Sequence, residues 1–221
     1  MSRTLSEADS KALLAPYGVP FPSETLVASA DAAVVAAGEL GRPVAAKLCG
    51  ANISHKTERG LVRLGLSGED AVRRAAQELL DAARPEDEAT GVLIAPMLSG
   101  TRELIAGIAV DEQFGPTVLV GIGGVLAEAV ADVAVRLVPI ERVDAEDMLD
   151  QLRSQALLGP FRGEPAVDRA RVIDVLVALS DAASAHPELR SVDLNPLIVV
   201  DGAPVAVDAL VELDAGDEVA A

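Results

Sequence analysis

The sequence predicts an α+β fold built from two lobes, and three observations favour it. Strand-like apolar runs are mixed with amphipathic helical patterns, without strict alternation of strand and helix. Half of the 221 residues are hydrophobic and 24% are charged, which supplies enough apolar material for a packed core. The pattern changes near Pro96, where runs typical of strands begin to dominate. We therefore expect one domain over residues 1–94, with a lead-in helix and a small lobe, and a larger lobe over residues 95–221.

In the first lobe, helical and strand patterns are separated by clear breaks. The first helical pattern follows Ser6 and ends where Pro16 and Gly18 interrupt it. A continuous apolar run after Gly41 is typical of a buried strand. The patterns predict helices over 7–15, 31–40 and 69–83 and strands over 43–50 and 61–66.

The second lobe begins with three strand-like runs that suggest an antiparallel meander. A further strand, two helices and two closing strands follow, and Asp201-Gly202 is a tight-turn signal between the last two. The predicted strands cover 91–98, 102–110, 116–124, 133–140, 190–200 and 204–213, and the predicted helices cover 145–152 and 166–184.

Composition excludes several classes of partner. With 18 Lys and Arg against 35 Asp and Glu, the net charge is −17, and aromatic residues make up only 2%. A nucleic-acid partner is disfavoured because the phosphate backbone would be repelled and stacking rings are scarce. An anionic membrane surface is disfavoured for the same reason of charge. The single Cys49, the charged N-terminal sequence and the lack of a long apolar run favour a cytoplasmic protein.

Basic residues are concentrated in one segment of this acidic chain. Lys47 and Lys56 are two of only three lysines, and five basic residues and one acidic residue lie between Arg42 and Arg63. Lys47 stands inside an apolar strand, where its ammonium needs a partner such as a phosphate oxygen or a carboxylate. An anionic ligand and a buried ion pair are both open at this point. His55, in the polar loop beside Lys56, could act as a base, a ligand or a phosphoryl acceptor, or lie on the surface without a role.

Oxygen-bearing side chains are spread over the second lobe. Asp193 and Asn195 lie two apart in a strand-like run and should point to one face, and Asp208 is expected in the next strand, across from them. Mg²⁺ takes such hard oxygen ligands and completes its shell with water and nucleotide phosphates. Alternatively, these residues could be ordinary solvated side chains on the surface. Glu103 and Glu128 are further acids of this half.

Short motifs follow one another in a fixed order from about Leu14 to Leu213. They read PYGVPFP, PVAAKL, ISHKTERGLVRLGL, GVLIAPMLSGTRELIAG, DEQFGPTVLVGIGG, ADVAVRLVPI, LLGPFRG, SVDLNPLIV and AVDA. This series resembles the ATP-grasp β subunit of ADP-forming acyl-CoA synthetases, the family of the ADP-forming acetate–CoA ligases. That family is related to succinyl-CoA synthetase, whose β subunit has a similar two-lobe nucleotide site.

The resemblance implies an ATP-grasp fold that holds ATP or ADP, with Mg²⁺, between its two lobes. Lys47 matches the lysine that holds the nucleotide phosphates, and Glu103 matches a nucleotide-contacting glutamate. Asn195 and Asp208 match the Mg²⁺ ligands. The strand whose backbone meets adenine corresponds to Ala95, Pro96, Met97 and Leu98.

The resemblance also implies a catalytic loop and a partner. His55 matches the histidine that relays a phosphoryl group, and Lys56 lies next to it as a second catalytic residue. In the family a CoA-binding α subunit, in a heterotetramer or fused to the β unit, carries the sites for the carboxylic acid and the acyl-CoA. The expected reaction is reversible and converts acid, CoA and ATP into acyl-CoA, ADP and phosphate.

Two other functions stay open beside this one. The chain could be a stand-alone ATP-grasp ligase that joins a carboxylate to an amine, or a nucleotide-binding regulatory subunit without catalysis. His55 favours the first reading over the ligase, since carboxylate–amine ligation does not need a phosphohistidine. Departures from the family pattern at Gly60-Leu61, Ala95-Pro96 and Leu210 concern nucleotide preference and affinity.

Overall fold

The computed structural model describes residues 2–41, 43–53, 56–124 and 131–214. The chain divides into two compact units. The smaller unit comprises residues 5–9 and 22–98, and the larger unit comprises residues 1–4, 10–21 and 99–221. The sequence-based boundary between residues 94 and 95 lies inside a strand of the smaller unit.

The smaller unit contains a four-stranded antiparallel sheet with two helices. The strand order is β2-β5-β3-β4. The strands are β2 (Thr25–Val27), β3 (Val44–Gly50), β4 (Val62–Leu66) and β5 (Ala89–Pro96), and the helices are α2 (Ala30–Leu40) and α3 (Glu69–Asp81). A short 3₁₀ turn, Pro85–Asp87, precedes β5.

Local sequence explains these elements. All seven residues of β3 are buried, as the continuous apolar run predicts. Helix α2 begins where the Ser29 hydroxyl accepts a hydrogen bond from the Ala32 N–H at 3.3 Å, and it ends at Gly41 in a left-handed conformation. Helix α3 turns one apolar face inward. The core of this unit includes Val44, Ala46, Leu48, Val72, Ala76, Leu79, Val92 and Ile94.

The larger unit is built on a seven-stranded sheet in the described part of the chain. Its order is β1-β11-β9-β6-β7-β8, and β10 also pairs with β9. The strands are β1 (Ser2–Thr4), β6 (Glu103–Asp111), β7 (Gly115–Ile122), β8 (Val133–Leu137), β9 (Leu189–Val200), β10 (Ala203–Ala206) and β11 (Leu210–Asp214). The helices are α4 (Arg142–Gln151), α5 (Gln155–Leu158) and α6 (Arg169–Ala185), and α1 (Glu7–Leu14) begins in the smaller unit and continues into the larger one.

Helix α6 supplies much of the core of the larger unit. Its N-cap Asp168 accepts a hydrogen bond from the Arg171 N–H at 3.2 Å. Its buried apolar side chains include Val172, Leu176 and Leu179. The mixture of helices with antiparallel sheets confirms the α+β prediction.

The structure corrects two expectations about local elements. The first of the three runs predicted to form a meander is β5, which pairs with β2 and β3 in the smaller sheet, so only β6 and β7 of the three are neighbours. The predicted strand 204–213 is two strands, β10 and β11, separated by residues 207–209, so Asp208 does not lie in a strand. The three-residue strands β1 and β2 and the short helix α5 are not predicted, because such short elements carry no measurable periodicity. In the described part of the chain, no helix combines the length and the apolar character needed to cross a membrane.

Candidate functional site

Lys47 lies in the middle of β3, at the centre of the smaller sheet. It pairs with Leu93 on β5 and with Val62 on β4, and Lys47 as a whole is only 8% exposed. Its ammonium donates a hydrogen bond to Glu7 Oε1 at 2.7 Å. The buried ion pair that the sequence left open is therefore present. Binding of phosphate by Lys47 stays a prediction.

Lys56 contacts the same carboxylate as Lys47. Its ammonium donates to Glu7 Oε2, and the side chain of Glu7 is 2% exposed. One carboxylate thus accepts hydrogen bonds from two of the three lysines in the chain. Ser54 and His55 lie outside the described residues, so the predicted catalytic role of His55 stays a prediction.

An arginine–aspartate pair fixes the end of the loop that carries Lys56. Arg59 donates from its two terminal nitrogens to the two oxygens of Asp87 at 2.7 and 2.8 Å, and Asp87 also accepts from the Arg84 N–H at 2.9 Å. The hydrogen bond from Arg59 holds the pKa of the Asp87 carboxyl below its usual value. Within the loop, the Leu61 N–H donates to the Lys56 carbonyl at 2.8 Å. These bonds restrain the backbone directly after Lys56.

Gly50, at the start of the same loop, makes a close approach to the chain before β5. A Cβ atom there would lie 2.4 Å from the Asp87 carbonyl oxygen and 2.9 Å from Ala89 Cα. Only glycine fits such a contact without a shift of the backbone. Gly50 is thus packed at the end of β3.

The predicted adenine-binding segment is the end of β5 and the residues after it. Ala95 pairs with Ala45 and is buried, while Pro96, Met97 and Leu98 are half-buried. Proline has no N–H group, and the Met97 N–H donates to the Pro43 carbonyl at 2.8 Å. A bond from the Met97 N–H to adenine would have to compete with that internal bond.

In the larger unit, the two predicted metal ligands lie opposite each other. Strands β10 and β9 pair Ala206 with Leu197, and strands β11 and β9 pair Leu210 with Asp193. Both pairings, continued into the break between β10 and β11, place residue 208 across from residue 195. The Val207 N–H, which donates to the Pro196 carbonyl at 3.2 Å, keeps the two segments together there. The segments that carry Asn195 and Asp208 therefore lie side by side, although Asp208 is outside a strand.

Asp193 adds a second carboxylate to this place. Desolvation of the carboxylate raises the pKa of Asp193, and the negative charge of Asp208 raises it further. Two mutually repelling carboxylates and the amide of Asn195 are oxygen donors of the kind that Mg²⁺ prefers. Within residues 2–41, 43–53, 56–124 and 131–214, no group of three or more His, Cys, Asp or Glu side chains could hold a metal by itself. The set fits a Mg²⁺ ion that keeps water or phosphate among its ligands.

Glu103 is the first residue of β6 and is half-buried. Its backbone carbonyl accepts a hydrogen bond from the Gly123 N–H at 2.8 Å. A Cβ atom on Gly123 would lie 3.1 Å from the backbone of Glu103, and one on Gly124 would lie 3.8 Å from Glu103 Oε2. The glycine-rich end of β7 therefore packs closely against Glu103. The contact of Glu103 with nucleotide stays a prediction.

Glu7 is the site residue that the sequence analysis missed. In the sequence it is an ordinary acid in the first turn of a helix, 40 residues before Lys47. The available signal was indirect, because a lysine inside a buried strand requires an anion nearby.

Comparison with known proteins agrees with the resemblance found in the motifs. The family model described as ATP-grasp domain matches residues 1–213. The β subunit of ADP-forming acetate–CoA ligase I from Pyrococcus furiosus is 34% identical over 211 residues, which cover 94% of this chain and 91% of that one. The ADP-forming acetate–CoA ligase II from Archaeoglobus fulgidus is 37% identical over 93% of this chain but only 30% of its own length. These matches confirm the expected ATP-grasp fold.

Two solved structures of one acetyl-coenzyme A synthetase from Ca. Korarchaeum cryptofilum also match. One, in complex with coenzyme A and Ca-AMPCP, has a TM-score of 0.89 at 34% identity and covers 96% of this chain and 93% of the matched chain. The other, in complex with coenzyme A and Mg-AMPPCP, has its phosphohistidine segment pointing towards the nucleotide binding site. Its TM-score is 0.80 at 33% identity, with coverage of 94% and 91%.

Proposed function

Because the chain belongs to the ATP-grasp family and is similar along nearly its whole length to β subunits of ADP-forming acetate–CoA ligases, we propose that it is the nucleotide-binding subunit of an ADP-forming acyl-CoA synthetase. The enzyme is an acid–thiol ligase that converts a carboxylic acid, CoA and ATP reversibly into acyl-CoA, ADP and phosphate. The observation that carries this proposal is the extent of the match, 94% of this chain against 91% of a complete β subunit.

The smaller unit binds the phosphates through its lysines. Lys47 and Lys56 both contact the carboxylate of Glu7, so a phosphate bound at this place would meet two ammonium groups. Ammonium groups bind phosphate oxygens through charge-assisted hydrogen bonds. The segment from Ala95 to Leu98 contacts adenine through its backbone.

The larger unit holds the metal and a further part of the nucleotide. Asn195 and Asp208 bind Mg²⁺, with Asp193 close by to add negative charge, and Glu103 contacts the nucleotide. When bound, Mg²⁺ neutralises phosphate charge, which is the main requirement of phosphoryl transfer. The opposed positions of Asn195 and Asp208 support this assignment.

His55 accepts the phosphoryl group in this proposal, and Lys56 beside it stabilises the transferred charge. Its support is the ISHKT motif, together with the phosphohistidine segment named in the Korarchaeum structure. A histidine relay also separates this function from that of a carboxylate–amine ligase, which has no use for it. Intact Lys47, Asn195 and Asp208 argue against a purely regulatory subunit.

A partner supplies the sites for CoA and for the acid. Support comes from the β-subunit relatives and from the Archaeoglobus ligase, in which the matched part is 30% of a longer chain. The partner is a CoA-binding α subunit, in a heterotetramer, or a homologue that carries the same domains fused.

Labelling with radioactive γ-phosphate tests the proposal. With Mg²⁺, labelled ATP and the partner subunit, the chain should acquire a label that is lost in acid and kept in base, as expected for phosphohistidine. His55→Asn should abolish the label while Mg-ATP still binds. His186→Asn is the matched control, since His186 is the other histidine and lies at the end of α6. A label that survives His55→Asn would reject the relay.

A further inference from the structure

Glu7 has no part in the function proposed above, yet it contacts both lysines on which that function depends. Its Oε1 lies 2.7 Å from Lys47 Nζ, and its Oε2 accepts from Lys56. We propose that Glu7 is a positioning residue, which holds the two ammonium groups at a fixed separation so that they receive a nucleotide phosphate together. This inference rests on the proposed function, since it requires that these lysines bind phosphate.

The order of burial indicates on which side of the lysines a phosphate would bind. The side chain of Glu7 is 2% exposed, that of Lys47 is 10% exposed and that of Lys56 is 14% exposed. The side chain of Glu7 is therefore the least exposed of the three. A phosphate that arrives from solvent meets the lysines first, so Glu7 supports them from beneath instead of occupying the position of the phosphate.

Glu7 is itself held firmly. It is the first residue of α1, and the preceding Ser6 is buried and caps the helix: its hydroxyl accepts from the Asp9 N–H at 3.1 Å and donates to Asp9 Oδ2 at 2.7 Å. A carboxylate in the first turn of a helix is also stabilised by the helix dipole. Glu7 thus joins the first turn of a capped helix to the strand of Lys47 and the loop of Lys56, and these three residues all lie in the smaller unit.

Positioning and plain electrostatics predict opposite effects for the loss of this carboxylate. Removal of a negative charge beside an anion site should tighten ATP binding if charge alone mattered. Without the Glu7 charge, however, the two ammonium groups repel each other and lose the carboxylate that they share, so ATP must hold both side chains together when it binds. Positioning therefore predicts that Glu7→Gln weakens ATP binding, by about tenfold if ordering of the two lysine side chains is the added cost.

Calorimetric titrations with Mg-ATP and with adenosine test this inference. Glu7→Gln should weaken the binding of ATP about tenfold and leave the affinity for adenosine unchanged, because adenosine has no phosphate for the lysines to bind. Glu39→Gln removes the same charge from an exposed position on α2 and should change neither affinity. If Glu7 only stabilised the fold, Glu7→Gln would weaken the binding of both ATP and adenosine, and that result would overturn the inference.

Two further variants keep the test decisive. Glu7→Asp retains the charge but is one methylene shorter, so it cannot reach both lysines as Glu7 does; it should weaken ATP binding, by less than Glu7→Gln does. It carries the test alone if the Gln variant does not unfold cooperatively. In a Lys47→Met background, Glu7→Gln should reduce ATP affinity by a smaller factor than it does in the wild type, because one of the two positioned ammonium groups is already absent. Equal or tighter ATP binding by Glu7→Gln or Glu7→Asp would overturn only the positioning role. Failure of the wild type to bind Mg-ATP would overturn the proposed function as well.

Discussion

Replacement of Lys47 by methionine separates the two roles of this lysine. Methionine keeps an unbranched stem of similar length, so the packing of β3 is retained while the ammonium is lost. Lys47 already gives one hydrogen bond to Glu7 at 2.7 Å, and an ammonium has three donors. A phosphate bound to Lys47 would accept one charge-assisted hydrogen bond from this ammonium.

The expected loss of affinity follows from one such bond. A hydrogen bond to a charged group contributes about 1.5 to 3 kcal/mol, so Lys47→Met should raise the Kd of Mg-ATP roughly 10- to 100-fold. Stability should fall by only about 1 to 3 kcal/mol, because Glu7 keeps its contact with Lys56.

Titration calorimetry at fixed ionic strength measures the affinity, and denaturant unfolding measures the stability. Arg74→Met is the matched control, since it removes one positive charge from an exposed position on α3 of the same unit. Unchanged affinity in a folded Lys47→Met variant would refute the phosphate role and leave Lys47 as a structural ion-pair partner only.

Three further predictions concern carboxylates. Asp208→Ala should weaken Mg-ATP binding at least about tenfold, since loss of even an outer-shell partner of a metal ligand costs that much, while unfolding stays cooperative. Calorimetry that finds equal affinity would remove Asp208 from the site. The pKa of Asp87 is lowered in the folded state by Arg59, so its contribution to stability is complete above the unfolded value near pH 4 and is lost as the pH falls through the folded pKa. Asp87→Asn should therefore lower the melting temperature more at pH 7 than at a pH below 4, and an equal loss at both pH values would contradict the assigned cause. The pKa of Asp193 is raised, so without metal the protein loses stability as the pH rises from about 4 through the folded pKa. The Asp193→Asn variant should have a higher melting temperature than the wild type at pH 7 but not at pH 3, and added Mg²⁺ should reduce the difference between the two melting temperatures. A variant with a lower melting temperature than the wild type at pH 7 would show that the charge of Asp193 does not destabilise the folded protein.

The part of the site that follows from local pattern could be predicted from the sequence. A lysine within a buried apolar strand requires a counter-charge wherever it lies, and Lys47 has one. The alternation around Asp193 and Asn195 likewise indicates one strand, and β9 contains both.

Long-range pairing could not be predicted in the same way. Nothing near Glu7 in the sequence shows that its helix meets a strand 40 residues later, because that contact depends on the tertiary fold. The apolar alternation of residues 204–213 continues through Asp208, yet the strand breaks there, with the Val207 N–H bonded to the Pro196 carbonyl. Periodicity indicates which residues face a core, but it does not indicate where one strand ends and the next strand begins to pair with the same neighbour.

The most direct test of the proposed function is reconstitution of the synthetase from this chain and its CoA-binding partner. Each is purified alone, and acyl-CoA, ADP and phosphate are measured after addition of acetate, CoA and Mg-ATP. We predict no acyl-CoA from this chain alone, and one ADP and one phosphate per acyl-CoA from the mixture with a separate CoA-binding α subunit, with turnover abolished by His55→Asn and retained by His186→Asn. Acyl-CoA formed by this chain alone, or full turnover by the His55 variant with the partner, would contradict the account.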